Sequence, residues 1–476
     1  MRPSLLGIVV CLMCASLMAA SPESTFRAGA ATSNITPALG SPIVGGFLGI
    51  PSTNIHDELH ARCLVLDDGQ TKLALVTLDL LLLDRNLGTK ARELIEEETG
   101  IPAQNVLISA VHTHSATLAG NGPFPFTSEI NNYSGFYVRR IVDGVRCAAN
   151  RLRPAELAFT TVQAPEHVFN RRWFLKPGTM PPNPFGGIDQ VKMNPRSGSS
   201  DLIKPAGPTD PTVSILALRE PDGRPIAVYS NYALHYVGHG ARGDISADYF
   251  GMYCRRLERL MGGDEQDPPM VAMMSNGASG DINNMNFFHR RPPKKPYEQM
   301  RYVANDLATK AHAALADVEY HDQVTLAARF REPIIERQQP TAEQIVWAKE
   351  RMAKPAPEPG ETDLTYIYAR RIQRMVERET SVAVPLQVLR IGPVCIGTIP
   401  GEPFCEIGLE FRQRSPVQPA FVVELAHGSF GYVPTAKQFE LGGYETWLGS
   451  SAFEPHGSEK ILDTLLEMVA EVRDGK

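Results

Sequence analysis

Apolar residues crowd Lys72–Leu83 (KLALVTLDLLLL) too continuously for a strand with one wet face, which predicts a buried strand. A helical stretch is predicted next over Thr89–Glu98 and a second apolar strand over Val106–Val111. Strand, helix, strand is the opening of a parallel α/β layer. Further on, the spacing predicts helices over Phe136–Leu152 and Tyr249–Leu260 and strands over Glu156–Val162, Thr212–Leu218 and Ile226–Tyr232. A short strand, Met270–Met274, is expected to run into the glycine-rich loop SNGASGDINN. Strands return over Leu386–Ile391, Val394–Ile399 and Phe421–Leu425, before a closing helix over Glu459–Val472. Two stretches break the pattern. Residues 175–211 are rich in Pro, Gly and Ser and lack periodicity, which predicts a long irregular excursion of the kind that is often functional. Residues 341–380 carry charged helical spacing broken by Pro355, Pro357 and Pro359, which predicts a surface helical pair.

Composition adds a boundary at the amino end. The first twenty residues hold one charge, Arg2, then an apolar run from Leu5 to Leu17 and the small residues Ala19 and Ala20, the layout of a secretory signal peptide. Residues 1–20 are therefore set apart from the fold, 21–476 are read as one catalytic domain, and export to a periplasm or the extracellular space is expected. No later run reaches the roughly eighteen apolar residues that a spanning helix needs. Five cysteines remain outside the leader, Cys63, Cys147, Cys254, Cys395 and Cys405, dispersed and without CxxC spacing. That excludes a disulfide framework and a thiolate zinc site, and leaves one or two bridges at most. The formal net charge of −6, or −7 once Arg2 leaves with the leader, comes with no basic tract, so nucleic-acid binding is disfavoured.

Candidate chemistry clusters at predicted strand ends, where α/β folds place their sites. His112 and His114 end the Val106–Val111 strand and share one face if that strand stays regular, converging on a common volume only if the backbone turns there. Neutral imidazole suits Zn²⁺. Taken alone, the pair is equally compatible with two polar residues in an ordered loop. His235, in NYALHYVGHG, follows another apolar strand, and Glu402, in TIPGEPF, follows the Val394–Ile399 strand through a Pro-Gly turn expected to expose its side chain. Tyr432 in GSFGYVPT and Tyr444 in GGYE stand among glycines rather than apolar neighbours, a hint of close approach by something other than core.

In order along the chain, RAGAATSNITPALGSPIVGGF, HDELHARCLVLDDG, TLDLLLL, SAVHTHSA, FNRR, DPTVSILALR, NYALHYVG, SNGASGDIN, TIPGEPF and FGYVPT with GGYE resemble the neutral and alkaline non-lysosomal ceramidase family through most of the mature length. The 12-residue step from Tyr432 to Tyr444 is similar to that family's spacing for two active-site tyrosines. The resemblance implies an α/β fold with a mixed β-sheet core flanked by helices. It also implies a short member, without the immunoglobulin-like carboxyl-terminal domain of long ones.

Carried over residue by residue, the resemblance implies one zinc ion per chain held by His112, His235, Glu402 and Tyr432, with His114, Arg171 and Tyr444 facing the substrate. Such a donor set leaves room for water at the metal, as a catalytic zinc requires. The implied activity is hydrolysis of the N-acyl amide bond of ceramide or a related N-acyl lipid. A small lipid-like amide is thus the expected partner, with transient membrane-surface contact and no transmembrane segment. His114 is the candidate proton shuttle, because imidazole titrates near working pH. Asp281 is the candidate to orient a histidine ligand. Trp173, Phe174 and Phe185 either line a lipid-accepting cleft or pack beneath it, packing being preferred. Two alternatives stay open: a zinc hydrolase of another N-acyl, peptide or ester substrate, and an exported binding protein that lost turnover. The presence of all seven polar residues argues against the second.

Overall fold

A computed structural model describes residues 26–474 apart from 118, 120–132, 291 and 359, so the leader expected over residues 1–20 lies outside the described residues. Three mixed sheets form the framework, as the resemblance implied. In the first, the order is Val106–Ala110, Lys72–Leu78, His60–Asp67, Arg27–Asn34 and the short Arg153–Pro154. The second runs Val271–Asn276, Pro225–Tyr232, Thr212–Arg219, Glu156–Gln163. The third runs Leu326–Arg331, Leu386–Ile391, Val394–Ile399, Ala420–Glu424.

Each sheet contains one parallel pair: Lys72–Leu78 with Val106–Ala110, Pro225–Tyr232 with Val271–Asn276, and Val394–Ile399 with Ala420–Glu424. A parallel pair needs a crossover. Helix Arg85–Thr99 supplies the first, started by the Asp84 side chain accepting from the Asn86 N–H and stopped by Gly100 at φ 71°, whose N–H returns to Glu96 O. Helix Asp248–Leu260 supplies the second and Cys405–Arg414 the third. Leu75, Leu107, Tyr229, Met273, Leu389, Ile396 and Phe421, drawn from all three sheets, share one buried cluster. The sheets therefore face one another, and helices cover their outer faces. On the first sheet, helix Ser134–Asn150 buries Tyr137, Val138, Ile141, Val142, Val145 and Ala148, the stripe a 3.6-residue period places on one side.

Several expectations need correction. The apolar run over Lys72–Leu83 stops being strand at Leu78. Asp79 turns the chain: it is buried, accepts from the Arg62 guanidinium at 3.2 Å and from the His60 N–H at 2.9 Å. Leu81, Leu82 and Leu83 then line a cavity, so they are apolar for a different reason from the strand before them. Residues 175–211 are not wholly irregular. Val191–Met193 and Leu202–Pro205 flank Arg172–Leu175 in a three-stranded sheet whose strands are too short to register as a period. The cysteines agree with the expected limit: all five among the described residues are free, four of them buried and Cys147 exposed.

The expected helical pair is present as Ala342–Met352 and Leu364–Val376. It packs inward on aromatic edges, with Phe185 against Trp347 at 5.3 Å and Tyr368 against Trp447 at 5.3 Å between ring centres. Among the described residues, no helix is long and apolar enough to cross a membrane.

Candidate metal centre

The carboxyl ends of the three parallel pairs deliver the polar residues to one place. After Ala110 the chain leaves the strand, and His112 takes φ 70°, a left-handed conformation rare for a non-glycine residue. This is the turn that the HTH sequence requires for convergence. It brings His114 Nε2 to 3.1 Å from His112 Nε2 instead of setting the two rings side by side on a strand face. Thr113 holds the turn by donating its hydroxyl to Ser246 O at 2.8 Å. The His114 ring stacks on Tyr236, with centres 3.6 Å apart.

Hydrogen bonds on the far nitrogens set the tautomers. His112 Nδ1 lies 2.9 Å from Leu81 O and must donate there, which leaves Nε2 as a lone pair facing the cavity. His235 Nδ1 lies 3.1 Å from Ser279 O and 3.2 Å from Ser279 Oγ, so its Nε2 is also a lone pair. Between them stands Glu402 Oε2, 3.4 Å from His112 Nε2 and 3.6 Å from His235 Nε2. Glu402 reaches this point buried, not exposed as its Pro-Gly turn suggested. Both His235 Nε2 and Glu402 Oε2 are buried without a hydrogen-bond partner. An unsatisfied buried polar atom costs about 1–3 kcal/mol. Lone pairs converging with no proton between them are what a cation satisfies, and the donor types, imidazole and carboxylate, fit zinc. Burial first, then the charge of Arg171, keeps His235 far below its usual pKa and therefore neutral, as a ligand must be. Burial, then His112 and Arg171, does the same to His114.

His112, His114 and His235 together also form a group able to hold an ion, their ligand atoms all within 4.8 Å of one another. Geometry thus offers two donor sets that share His112 and His235 and differ in whether His114 or Glu402 completes them. The carboxylate oxygen, central to the two tautomer-fixed lone pairs, favours Glu402.

Tyr432 arrives beside Glu402 through a two-residue parallel pairing, Glu402–Pro403 with Tyr432–Val433. The glycines around it are needed for space: a side chain on Gly431, at φ 73°, would meet Ser450 O at 2.2 Å, and one on Gly280 would meet Glu402 O at 2.2 Å. The Tyr432 and Tyr444 rings lie 5.6 Å apart, and the Arg171 guanidinium sits 5.3 Å from the Tyr432 ring centre. Arg171 Nε donates to Glu445 Oε1 at 3.0 Å, while its Nη2 is buried and unpartnered. Burial first, then the Glu402 charge, raises the Tyr432 phenol well above its usual range. All seven residues expected at the site, His112, His114, Arg171, His235, Glu402, Tyr432 and Tyr444, line the same cavity of about 1100 Å³. Leu81, Leu82, Met180, Met193 and Phe430 make its apolar wall.

One expectation fails. Asp281 orients no histidine; it accepts from the Asn170 amide at 2.6 Å and the Cys405 N–H at 2.8 Å, tying the loop to the third sheet's helix. Trp173, Phe174 and Phe185 are absent from the cavity wall. Trp173 is buried against Phe287 and Phe288, as the preferred packing reading had it. The residues that do hold His235 are Ser279 and Glu424, which the sequence did not single out. Ser279 donates its N–H to Glu424 Oε2 at 3.0 Å and its hydroxyl to Glu424 Oε1 at 2.9 Å. With its proton spent on Glu424, Ser279 Oγ can only accept from His235 Nδ1. Glu424→Ala removes both acceptors, so the Ser279 N–H and hydroxyl lose the contacts that hold this residue against His235 Nδ1. We expect metal affinity to fall roughly 10- to 100-fold, the usual effect of losing a ligand's hydrogen-bond partner. Titration against a competing chelator reads it, and unchanged affinity would remove Glu424 from the site.

The pattern of the family described as neutral/alkaline non-lysosomal ceramidase, N-terminal, matches residues 26–289. Among solved structures, a ceramidase complexed with C2 aligns with a TM-score of 0.69 at 18% identity, over 95% of this chain and 76% of that one. The neutral ceramidase of Pseudomonas aeruginosa aligns with a TM-score of 0.68 at 18% identity, over 95% of this chain and 75% of that one. At this identity the two likenesses establish the fold.

Proposed function

Because the chain belongs to the neutral/alkaline non-lysosomal ceramidase family, we propose that it is a zinc-dependent amidase that cleaves the N-acyl bond of ceramide or a related N-acyl lipid. The observation that carries the reading is the pair of buried, unpartnered atoms, His235 Nε2 and Glu402 Oε2, at one end of an apolar-walled cavity. His112, His235, Glu402 and Tyr432 would hold one zinc ion. When bound, zinc acts as a Lewis acid and lowers the pKa of a coordinated water from about 15.7 towards 7.

The chain's own residues do the rest. Burial and the Glu402 charge keep the Tyr432 phenol protonated until a cation offsets them. Arg171, with Nη2 unpartnered, and Tyr444 supply donors for the oxyanion that develops on the amide carbonyl; one such donor is typically worth about 3–4 kcal/mol. His114, neutral in the resting site, takes the proton that the attacking water gives up and passes it to the departing amine. The leucine and methionine wall takes the acyl chain and keeps bulk water off the reacting bond. In this reading residues 21–476 work as one catalytic domain, and residues 1–20 direct export.

The test is metal content of the purified mature protein together with fatty-acid release from ceramide, with and without chelator. Near-stoichiometric zinc with chelator-sensitive release is expected. Zinc without release would keep the site and move the substrate to another amide, and protein that takes up no zinc would overturn the reading.

A further inference from the structure

Among the described residues, three arginines that line the same cavity form no ion pair with a carboxylate. Arg337, Arg371 and Arg378 line it, the first just past strand Ile334–Glu336 and the other two on or just beyond helix Leu364–Val376. Other arginines nearby are paired: Arg85 with Glu332, Arg171 with Glu445, Arg351 with Asp363. Arg337 is different. Its Nε is buried without a hydrogen-bond partner, and burial followed by the charge of Arg378 holds its guanidinium below the usual range. Arg371 packs over the rings of Phe47 and Tyr368 and donates to Gly449 O. Its charge, after burial, is the largest influence on the Tyr444 phenol.

Rings connect this group to the metal end: Arg371 lies 5.7 Å from the Phe47 ring, Phe47 6.0 Å from Tyr444, and Tyr444 5.6 Å from Tyr432. Leu364, Met375 and Val382 line the cavity beside the arginines. Arg337 and Arg371 are half-buried and Arg378 is exposed, and an anion that enters among these like charges offsets their repulsion. Guanidinium forks suit the planar or tetrahedral oxygens of carboxylate, sulfate or phosphate. We infer that the arginine-lined end of the cavity binds an acidic group carried by the substrate, so that the preferred substrate is an anionic N-acyl amphiphile rather than a neutral one. This rests on the reading that the metal end cleaves N-acyl amides.

The probes are N-lauroyl ω-amino acids of increasing spacer length, each beside the neutral N-lauroyl alkylamine of the same length, given to the full mature chain with zinc. At the best spacer length the acid exceeds its neutral counterpart in kcat/KM by roughly tenfold or more, the usual worth of a charge-assisted hydrogen bond. In Arg337→Gln and Arg378→Gln that ratio collapses towards one, chiefly through KM. A ratio near one in the unaltered protein, with amides still hydrolysed, overturns the inference and leaves the amidase reading standing. Should neither series nor ceramide turn over, calorimetric binding of the acids decides: binding weakened by the two substitutions keeps the anion subsite while the amidase reading falls, and no binding removes both. If the substitutions change only adsorption to vesicles containing phosphatidylglycerol, the arginines face a membrane and the subsite is overturned.

Discussion

His112→Ala protein is expected to leave purification without zinc and to lose more than about a thousandfold in turnover, the scale of removing metal-supplied nucleophile and charge stabilisation together. His114→Ala is expected to keep its zinc and still lose roughly 10²- to 10⁴-fold, the range for a positioned proton-transfer group. The contrast follows from what fixes each ring. His112 Nδ1 is committed to Leu81 O, and its Nε2 faces Glu402 Oε2 at 3.4 Å. His114 is held by stacking on Tyr236 and reaches only the edge of that group, 3.1 Å from His112 Nε2. Metal analysis of the two variants, paired with single-turnover assays, separates the donor sets that geometry offers. Loss of zinc in both would make His114 the third imidazole, and loss in His114→Ala alone would invert the assignment.

The sequence made some of this legible because strand ends and chemistry coincide. The HTH run, NYALHYVG and TIPGEPF each follow an apolar strand, and these are the strands whose carboxyl ends converge. The convergence itself was not legible. It depends on three sheets facing one another across a shared core, and hydrophobic period reports which face of a strand is dry, never what it is dry against. Glu424 illustrates the cost: at the end of FVVE it reads as the polar terminus of a strand, yet it is fully buried and fixes the serine that fixes His235. Leu80–Leu83 misled in the opposite direction. Their apolar character belongs to a cavity wall and to packing, so the predicted strand ran five residues past Leu78. Asp281 was misjudged because a carboxylate in a glycine-rich loop does not show in the sequence which groups it faces; this one satisfies the Asn170 amide and the Cys405 N–H. The paired arginines of FNRR hid a second role, which only the partner seen in the fold discloses.

That partner is Glu445, and Glu445→Ala is expected to lower the unfolding free energy by about 3–5 kcal/mol, the penalty for leaving buried charges without their counter-ion. Arg171 and Arg172 are adjacent in the chain, and Glu445 binds both, accepting from Arg171 Nε at 3.0 Å through Oε1 and from Arg172 Nη1 at 2.8 Å through Oε2. All three side chains are almost wholly buried. Arg172 has other acceptors, Gln438 O at 3.2 Å and Gly442 O at 2.7 Å, but these are neutral and cannot offset a guanidinium charge. The substitution also bears on the site, because Glu445 directly follows Tyr444 in a short 3₁₀ turn and anchors Arg171 from the side away from the cavity. Denaturant unfolding reads the stability, and a loss below about 1 kcal/mol would mean that backbone carbonyls and water suffice for the two arginines. Activity measured well below the midpoint separates the two consequences. A fall in kcat beyond what the unfolded fraction explains ties the buried pair to the position of Arg171 and Tyr444, whereas unchanged kcat in the folded fraction confines Glu445 to holding the loop against the sheet.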